Sequence, residues 1–133
     1  MESVAKTKMG CDQCWPASAD DAWAARANLD RSRQLFDDSH FRVMVLGCKA
    51  CGQRFLSVFT ELSDYVNGDD SQGWVLVPIT DDEEQGLASA GTAEFARQVY
   101  ATGKERWSLL KIHACGHPAN VFWGVGIPML PHG

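Results

Sequence analysis

Two cysteine pairs with the same spacing are the residues of this chain best suited to chemistry. They are Cys11 with Cys14, and Cys48 with Cys51. A Cys-x-x-Cys turn presents two sulfurs from one tight backbone bend, and structural zinc takes four such ligands in a tetrahedron. The four residues therefore predict one zinc ion, bound for structure, with no coordination position left for water. Such an ion should contribute about 10 kcal/mol or more to the apparent free energy of folding.

The second pair also carries a family resemblance. Gly52 follows Cys51 directly, and glycine admits the left-handed backbone needed where amides turn back toward a cysteine sulfur. An apolar run from Phe55 then reads as a strand, and another strand precedes Cys48. The segment Cys48-Lys-Ala-Cys51-Gly52-Gln-Arg-Phe55 resembles the knuckle of the zinc-ribbon family. The resemblance implies a structural zinc held by the four cysteines and, in the family's commonest use, nucleic-acid binding.

Two departures from the ribbon pattern concern the first pair. Trp15 stands where ribbons usually place glycine, and 33 residues, Trp15 to Gly47, separate the two pairs, against about 15 to 20 in common zinc motifs. Each doubling of a loop costs only about 0.6 kcal/mol. A helix inserted between the pairs is therefore tolerable, and a treble-clef-like arrangement would use the same four ligands.

Two other interpretations of the paired cysteines remain open, a redox-active thiol pair and buried cysteines without a ligand. A redox Cys-x-x-Cys acts alone at a helix N-terminus that lowers its thiol pKa. Cys48 and Cys51 instead lie between two predicted strands and have a second pair available. Reducing conditions in the cytoplasm also favour metal ligation over disulfides for paired cysteines.

A second group of potential ligands lies at His113, Cys115 and His117. Alternate residues of a strand share one face, so one metal could touch all three. Equally, Cys115 could be a small core side chain, and a catalytic cysteine would need a third, orienting group. The sequence contains no phosphate-binding loop, no zinc-protease motif, no nucleophile elbow and no zinc-deaminase motif. No catalytic residue is predicted, and an enzyme using this group stays an alternative.

Composition predicts one domain over residues 1–133. The apolar fraction is 45%, with five tryptophans and six phenylalanines, as expected of a globular chain. The net charge is −5, and no lysine or arginine lies between Arg54 and Arg97. The aspartates and glutamates between these two arginines belong to solvated turns and a helix N-terminus, or they form an acidic face for a basic partner.

The acidic charge argues against nucleic acid as the partner, because the acidic segment between Arg54 and Arg97 would repel phosphates. A nucleic-acid-binding alternative would use one basic N-terminal face, formed by Lys6, Lys8, Arg26, Arg31, Arg33, Arg42, Lys49 and Arg54. No apolar run is long enough for a membrane-spanning helix, and Met1 to Gly10 does not read as a secretory signal. We therefore expect a cytoplasmic protein, with another protein as its partner.

Periodicity places these residues in an α+β fold. Ser18 reads as the N-cap of a helix over 19–37. Helical segments over 81–101 begin at a capping box from Thr80 to Glu83 and are weakened by Gly86 and Gly91. Predicted strands cover 41–47, 53–62, 74–79, 107–114 and 120–125, and Pro78 should lie near a sheet edge. The prediction is a mainly antiparallel sheet of about five strands, two helical segments and a zinc-ribbon-like element with four cysteines, acting as a non-catalytic protein-binding or adaptor module.

Overall fold

Six strands form one antiparallel sheet in which each strand pairs with its neighbours in the chain. The computed structural model describes residues 10–38, 40–62, 71–113 and 118–126. The strands are β1 (Asp30–Asp38), β2 (Phe41–Gly47), β3 (Arg54–Leu62), β4 (Ser71–Ile79), β5 (Trp107–His113) and β6 (Asn120–Val125). The helices are α1 (Ala19–Ala25), which continues into a 3₁₀ turn over Arg26–Asn28, α2 (Asp81–Ala88) and α3 (Thr92–Gly103).

Each face of the sheet has its own core because side chains alternate along a strand. On one face, here the α3 face, the apolar side chains of β2 to β5 pack against Leu87 of α2 and against Phe95 and Val99 of α3. On the other, the α1 face, Leu46, Phe55, Leu76 and Leu109 pack against Trp15 and Ala22. The second core includes Cys14 and Cys48, so the cysteines belong to the α1 face.

The α+β class and the antiparallel sheet are confirmed, but the sheet has six strands. The additional strand is β1, because the helix predicted over 19–37 ends at Ala25 and the chain turns extended at Asp30. Phe36 meets Val43 of β2 in register, so β1 covers an edge of β2 that would otherwise leave backbone groups unpaired. The His40 amide donates to Asp38 Oδ1 at 3.0 Å in the connecting turn.

The remaining elements follow the predictions closely. Ser18 caps α1, the Thr80–Glu83 capping box is present, and Gly91 separates α2 from α3 as the N-cap residue of α3. Pro78 lies on an interior strand, not on an edge strand, but pairing of β4 with β5 extends only from Gln72 to Leu76. Its missing amide therefore costs no ladder bond there. Within the described ranges, no helix is long and apolar enough to cross a membrane.

Candidate metal centre

The structure brings the four predicted cysteines together. Cys11 and Cys14 lie on a turn before α1, and Cys48 and Cys51 lie on the turn between β2 and β3. Their sulfurs all lie within 4.8 Å of one another. The Sγ–Sγ distance is 3.8 Å from Cys11 to Cys14, 3.7 Å from Cys11 to Cys48 and 3.8 Å from Cys14 to Cys51.

These distances fit a metal ion and exclude disulfides. Four sulfurs about 2.3 Å from a central zinc ion are separated by tetrahedron edges of about 3.8 Å. A disulfide requires about 2.05 Å, and the four cysteines are free thiols. The four residues can therefore hold a metal ion, with each sulfur supplying one bond.

Hydrogen bonds shape the second turn around its cysteines. The Gly52 amide donates to the Cys48 carbonyl at 2.9 Å, and the Cys48 amide donates to the Gln53 carbonyl at 3.0 Å. Gly52 has a φ of 81°, a conformation that glycine adopts without steric cost. The predicted left-handed conformation of Gly52 is confirmed.

The first turn is closed by the same kind of backbone hydrogen bond, but no left-handed residue follows its second cysteine. The Trp15 amide donates to the Cys11 carbonyl at 2.8 Å, as Gly52 does to Cys48. Trp15 does not have a positive φ, whereas Gly10 has a φ of 87°. A Cβ on Gly10 would lie 2.6 Å from Cys14 Sγ. The glycine of the first turn thus precedes its cysteines, a position that the ribbon pattern did not indicate.

The backbone and the burial of the sulfurs set their protonation. Amide hydrogen bonds, first from Cys14 and then from Gln13, lower the pKa of the Cys11 thiol to about 6. Burial raises the pKa of the Cys14 thiol, although the Cys11 amide donates to its sulfur at 3.3 Å. A cation among the four sulfurs would offset the cost of ionising the buried thiol, because metal binding displaces thiol protons.

Three aromatic rings connect the cysteines to the far end of the sheet. Trp15, which is 3% exposed, stacks on Phe55 with ring centroids 5.1 Å apart and meets Trp123 edge-on at 4.8 Å. Trp123 Nε1 donates to the Ala17 carbonyl at 2.9 Å. The metal centre is therefore held by β6 as well as by the turn between β2 and β3, and sequence periodicity gave no signal for this contact.

The second predicted ligand group is only partly described. His113 ends β5 with its side chain exposed, and Cys115 and His117 lie outside the described residues. Among the residues that are described, the four cysteines are the one group of His, Cys, Asp and Glu able to hold a metal. A site at His113, Cys115 and His117 stays a prediction.

The acidic run of α2 is used within the fold. Arg106 Nη1 and Nη2 donate to Glu83 at 2.7 and 2.8 Å, which lowers the pKa of Glu83. Glu84 is buried and pairs with Arg33 at 3.6 Å and Arg54 at 3.7 Å. Asp81 also lies 3.9 Å from Arg54, so three of the four acidic residues of α2 are paired with arginines, which leaves less charge for a basic partner.

The predicted basic N-terminal face does not form as one surface. Arg33 and Arg54 turn toward Glu84, and Lys49 pairs with Asp30 at 3.5 Å. Arg26, Arg31 and Arg42 lie around a separate pocket, and Lys6 and Lys8 lie outside the described residues. The described part of this face is divided between the two sides of the sheet. Residues two apart on a regular strand share one side, but a register shift between Arg31 and Arg33 in β1 places these two arginines on opposite sides.

Comparison of the chain with protein-family models, curated proteins and solved structures finds no match. The four-cysteine cluster is compatible with a zinc-ribbon-like element.

Proposed function

We propose that this chain is a non-catalytic binding module whose fold is held by one structural zinc ion. The observation that carries the proposal is the set of Sγ–Sγ distances, which are 3.7 to 3.8 Å for three of the six pairs of sulfurs. These match the tetrahedron of a zinc ion with four thiolates. The ion would join the segment before α1 to the turn between β2 and β3.

A structural role follows from the ligand count. Four thiolates fill the shell, and catalytic zinc sites keep one position for water or substrate. Cys14 and Cys48 are buried beside Trp15 and Phe55, which excludes solvent from one side of the centre. The absence of a catalytic motif from the sequence and the filled shell together support a binding role, and we expect the partner to be another protein.

Metal analysis with a thiol count tests the structural zinc. Four sulfurs in a tetrahedron also suit iron, so the protein is purified under reducing conditions and analysed for zinc and iron by mass spectrometry. We expect one zinc per chain and protection of four of the five cysteines from a thiol reagent until a chelator is added. The Cys115→Ala variant is the control and should keep its zinc.

Two results would contradict the proposal. One is metal-free protein whose thiols all react before chelation. The other is bound iron with visible absorption, which would replace a structural zinc with a redox centre. A Cys14→Ser variant that still binds one zinc with unchanged affinity would also count against the assigned ligands.

A further inference from the structure

A concave pocket lies on the part of the α1 face that α1 does not cover. We call it the sheet pocket; its volume is about 360 Å³. Its lining includes Arg26, Arg31, Arg42, Met44, Phe59 and Trp74. Arg42 faces Phe59, and Met44 faces Ser57, across the β2–β3 ladder. The pocket is therefore a site separate from the cysteines, on the same side of the sheet.

Arg26 points into the pocket and forms no ion pair with a carboxylate among the residues that the structure describes. Its Nη2 donates to the hydroxyl of Ser57 at 2.7 Å, and its guanidinium lies 5.2 Å from the ring centroid of Trp23. Burial, with a smaller effect of nearby Arg31, lowers the pKa of Arg26. Burying a charge is costly unless an opposite charge compensates it. Arg26 therefore lies where an anion would be stabilising.

Neighbouring positive charges make the electrostatic potential around Arg26 more positive. Arg42 lies over Phe59 at 4.5 Å, and Lys111 Nζ lies over Trp74 at 5.3 Å. Of the pocket's described lining, Asp37 is the one carboxylate, and the ion pairs found among the described residues include none with Arg26, Arg31, Arg42 or Lys111. By contrast, Arg33, Arg54 and Arg106 on other surfaces are all paired with glutamates. Of the seven arginines, the three that line the sheet pocket are therefore those that form no ion pair with another described residue.

The walls of the pocket indicate which chemical groups an anionic ligand would carry. Guanidinium groups match phosphate with two parallel hydrogen bonds. The volume of about 360 Å³ falls in the range of small-molecule sites, about 300 to 1,000 Å³, and is larger than a bare anion requires. Met44, Phe59 and Trp74 form an apolar wall beside the arginines, suited to a planar ring.

We propose that the sheet pocket binds a free nucleoside phosphate, with its phosphate at Arg26, Arg31 and Arg42 and its base beside Trp74. Aromatic rings support bases by stacking. The net charge of −5 favours a single nucleotide over a polymer, because an extended phosphate backbone would be repelled by the rest of the molecule.

The metal centre positions one wall of this pocket. Arg26 begins the 3₁₀ turn after α1, and Trp23 of α1 meets Trp74 edge-on at 6.1 Å. α1 in turn follows Cys11 and Cys14, which the second cysteine turn holds in place. The inference adds a small-molecule ligand to the proposed binding module and rests on the proposed zinc ion, since loss of the metal would release the segment that carries Arg26.

Titration with AMP tests the pocket in the zinc-loaded protein at physiological salt. Tryptophan indole signals in NMR spectra report the site, and calorimetry gives the affinity. We expect saturable binding with a Kd below about 1 mM, and inorganic phosphate should bind more weakly because it lacks the ring. The variants Arg26→Gln and Arg42→Gln should each weaken AMP binding about tenfold or more, since hydrogen bonds to charged groups are lost.

Arg97→Gln is the matched control. Arg97 is an exposed arginine of α3, paired with Glu94 at 3.3 Å, and its replacement should leave AMP binding unchanged. Zinc content is measured in every variant, so that a failure of the metal centre is distinguished from a failure of the pocket. A variant that keeps one zinc and loses AMP supports the pocket.

Three outcomes would overturn the inference. The first is no saturable AMP binding by zinc-loaded protein. The second is equal loss in Arg97→Gln and Arg26→Gln, which would indicate nonspecific attraction. The third is tighter binding of a single-stranded oligonucleotide than of AMP, which would assign the pocket to a polymer. Absence of zinc from the wild-type protein would refute the structural metal instead.

Discussion

Replacing Gly10 by alanine should weaken metal binding, whereas the same replacement at Gly52 should lower stability alone. The two glycines have similar positive φ angles, 87° and 81°. Alanine at either position adopts a left-handed conformation that costs roughly 1–2 kcal/mol. The backbone penalty is therefore matched between the two variants.

The variants differ in what the new methyl group meets. At Gly52 it meets nothing within 4 Å, but at Gly10 it lies 2.6 Å from Cys14 Sγ. The two atoms must separate by about 0.8 Å to reach the 3.4 Å at which ordinary contact begins. Metal–ligand distances tolerate about 0.2 Å. We therefore expect Gly10→Ala to reduce zinc affinity about 10- to 100-fold, the range seen when groups that orient ligands are removed.

Competition with a chromophoric chelator measures the affinity, and urea unfolding at saturating zinc measures stability. Gly52→Ala should lose roughly 1–2 kcal/mol of stability and retain an affinity close to that of the wild type. Equal zinc affinities in the two variants would refute the close approach of Gly10 to the Cys14 sulfur. A stable Gly10→Ala protein with unchanged affinity would do so as well.

Three further results follow from the structure. Removing the metal with a chelator should abolish the near-ultraviolet circular dichroism of the packed tryptophans, because zinc supplies about 10–16 kcal/mol in comparable sites; an unchanged spectrum of metal-free protein would contradict this. Trp15→Ala should lower the unfolding free energy by about 3–5 kcal/mol, and Trp107→Ala, at a half-buried position, by less, as urea unfolding would show. Arg106 lowers the pKa of Glu83 below its ordinary value of 4.5, so this pair stabilises the fold above pH 4.5 and its contribution is lost as the pH falls through the lowered pKa. The stability difference between wild type and Arg106→Gln should therefore shrink below that pH, and a difference independent of pH would count against the pair.

The sequence predicted the strands whose patterns were decided by burial. Phe41, Val43 and Val45 alternate with more polar residues, and they form β2 as expected. β1 was missed because Leu29 and Phe36 happen to fit a helical period. Its structure is decided by pairing with β2, and a single sequence carries no such long-range information.

The cysteine site was predictable because its chemistry is local. Each Cys-x-x-Cys turn supplies two ligands from one bend, so the residue types and their spacing were sufficient. Gly10 and Trp123 were not predictable in the same way. Gly10 matters through its distance to a sulfur four residues later, and Trp123 through an indole bond to Ala17.

We expect that indole bond to form late in folding. Strands that are neighbours in the chain are also neighbours in the sheet, so the sheet can form by successive local hairpins. The contact between Trp123 and Ala17 spans 106 residues, whereas the cysteine pairs are only 37 apart. During synthesis from the N-terminus, the four sulfurs emerge long before β6 does. We therefore expect that the nascent chain can bind metal at the four cysteines before Trp123 packs against Trp15.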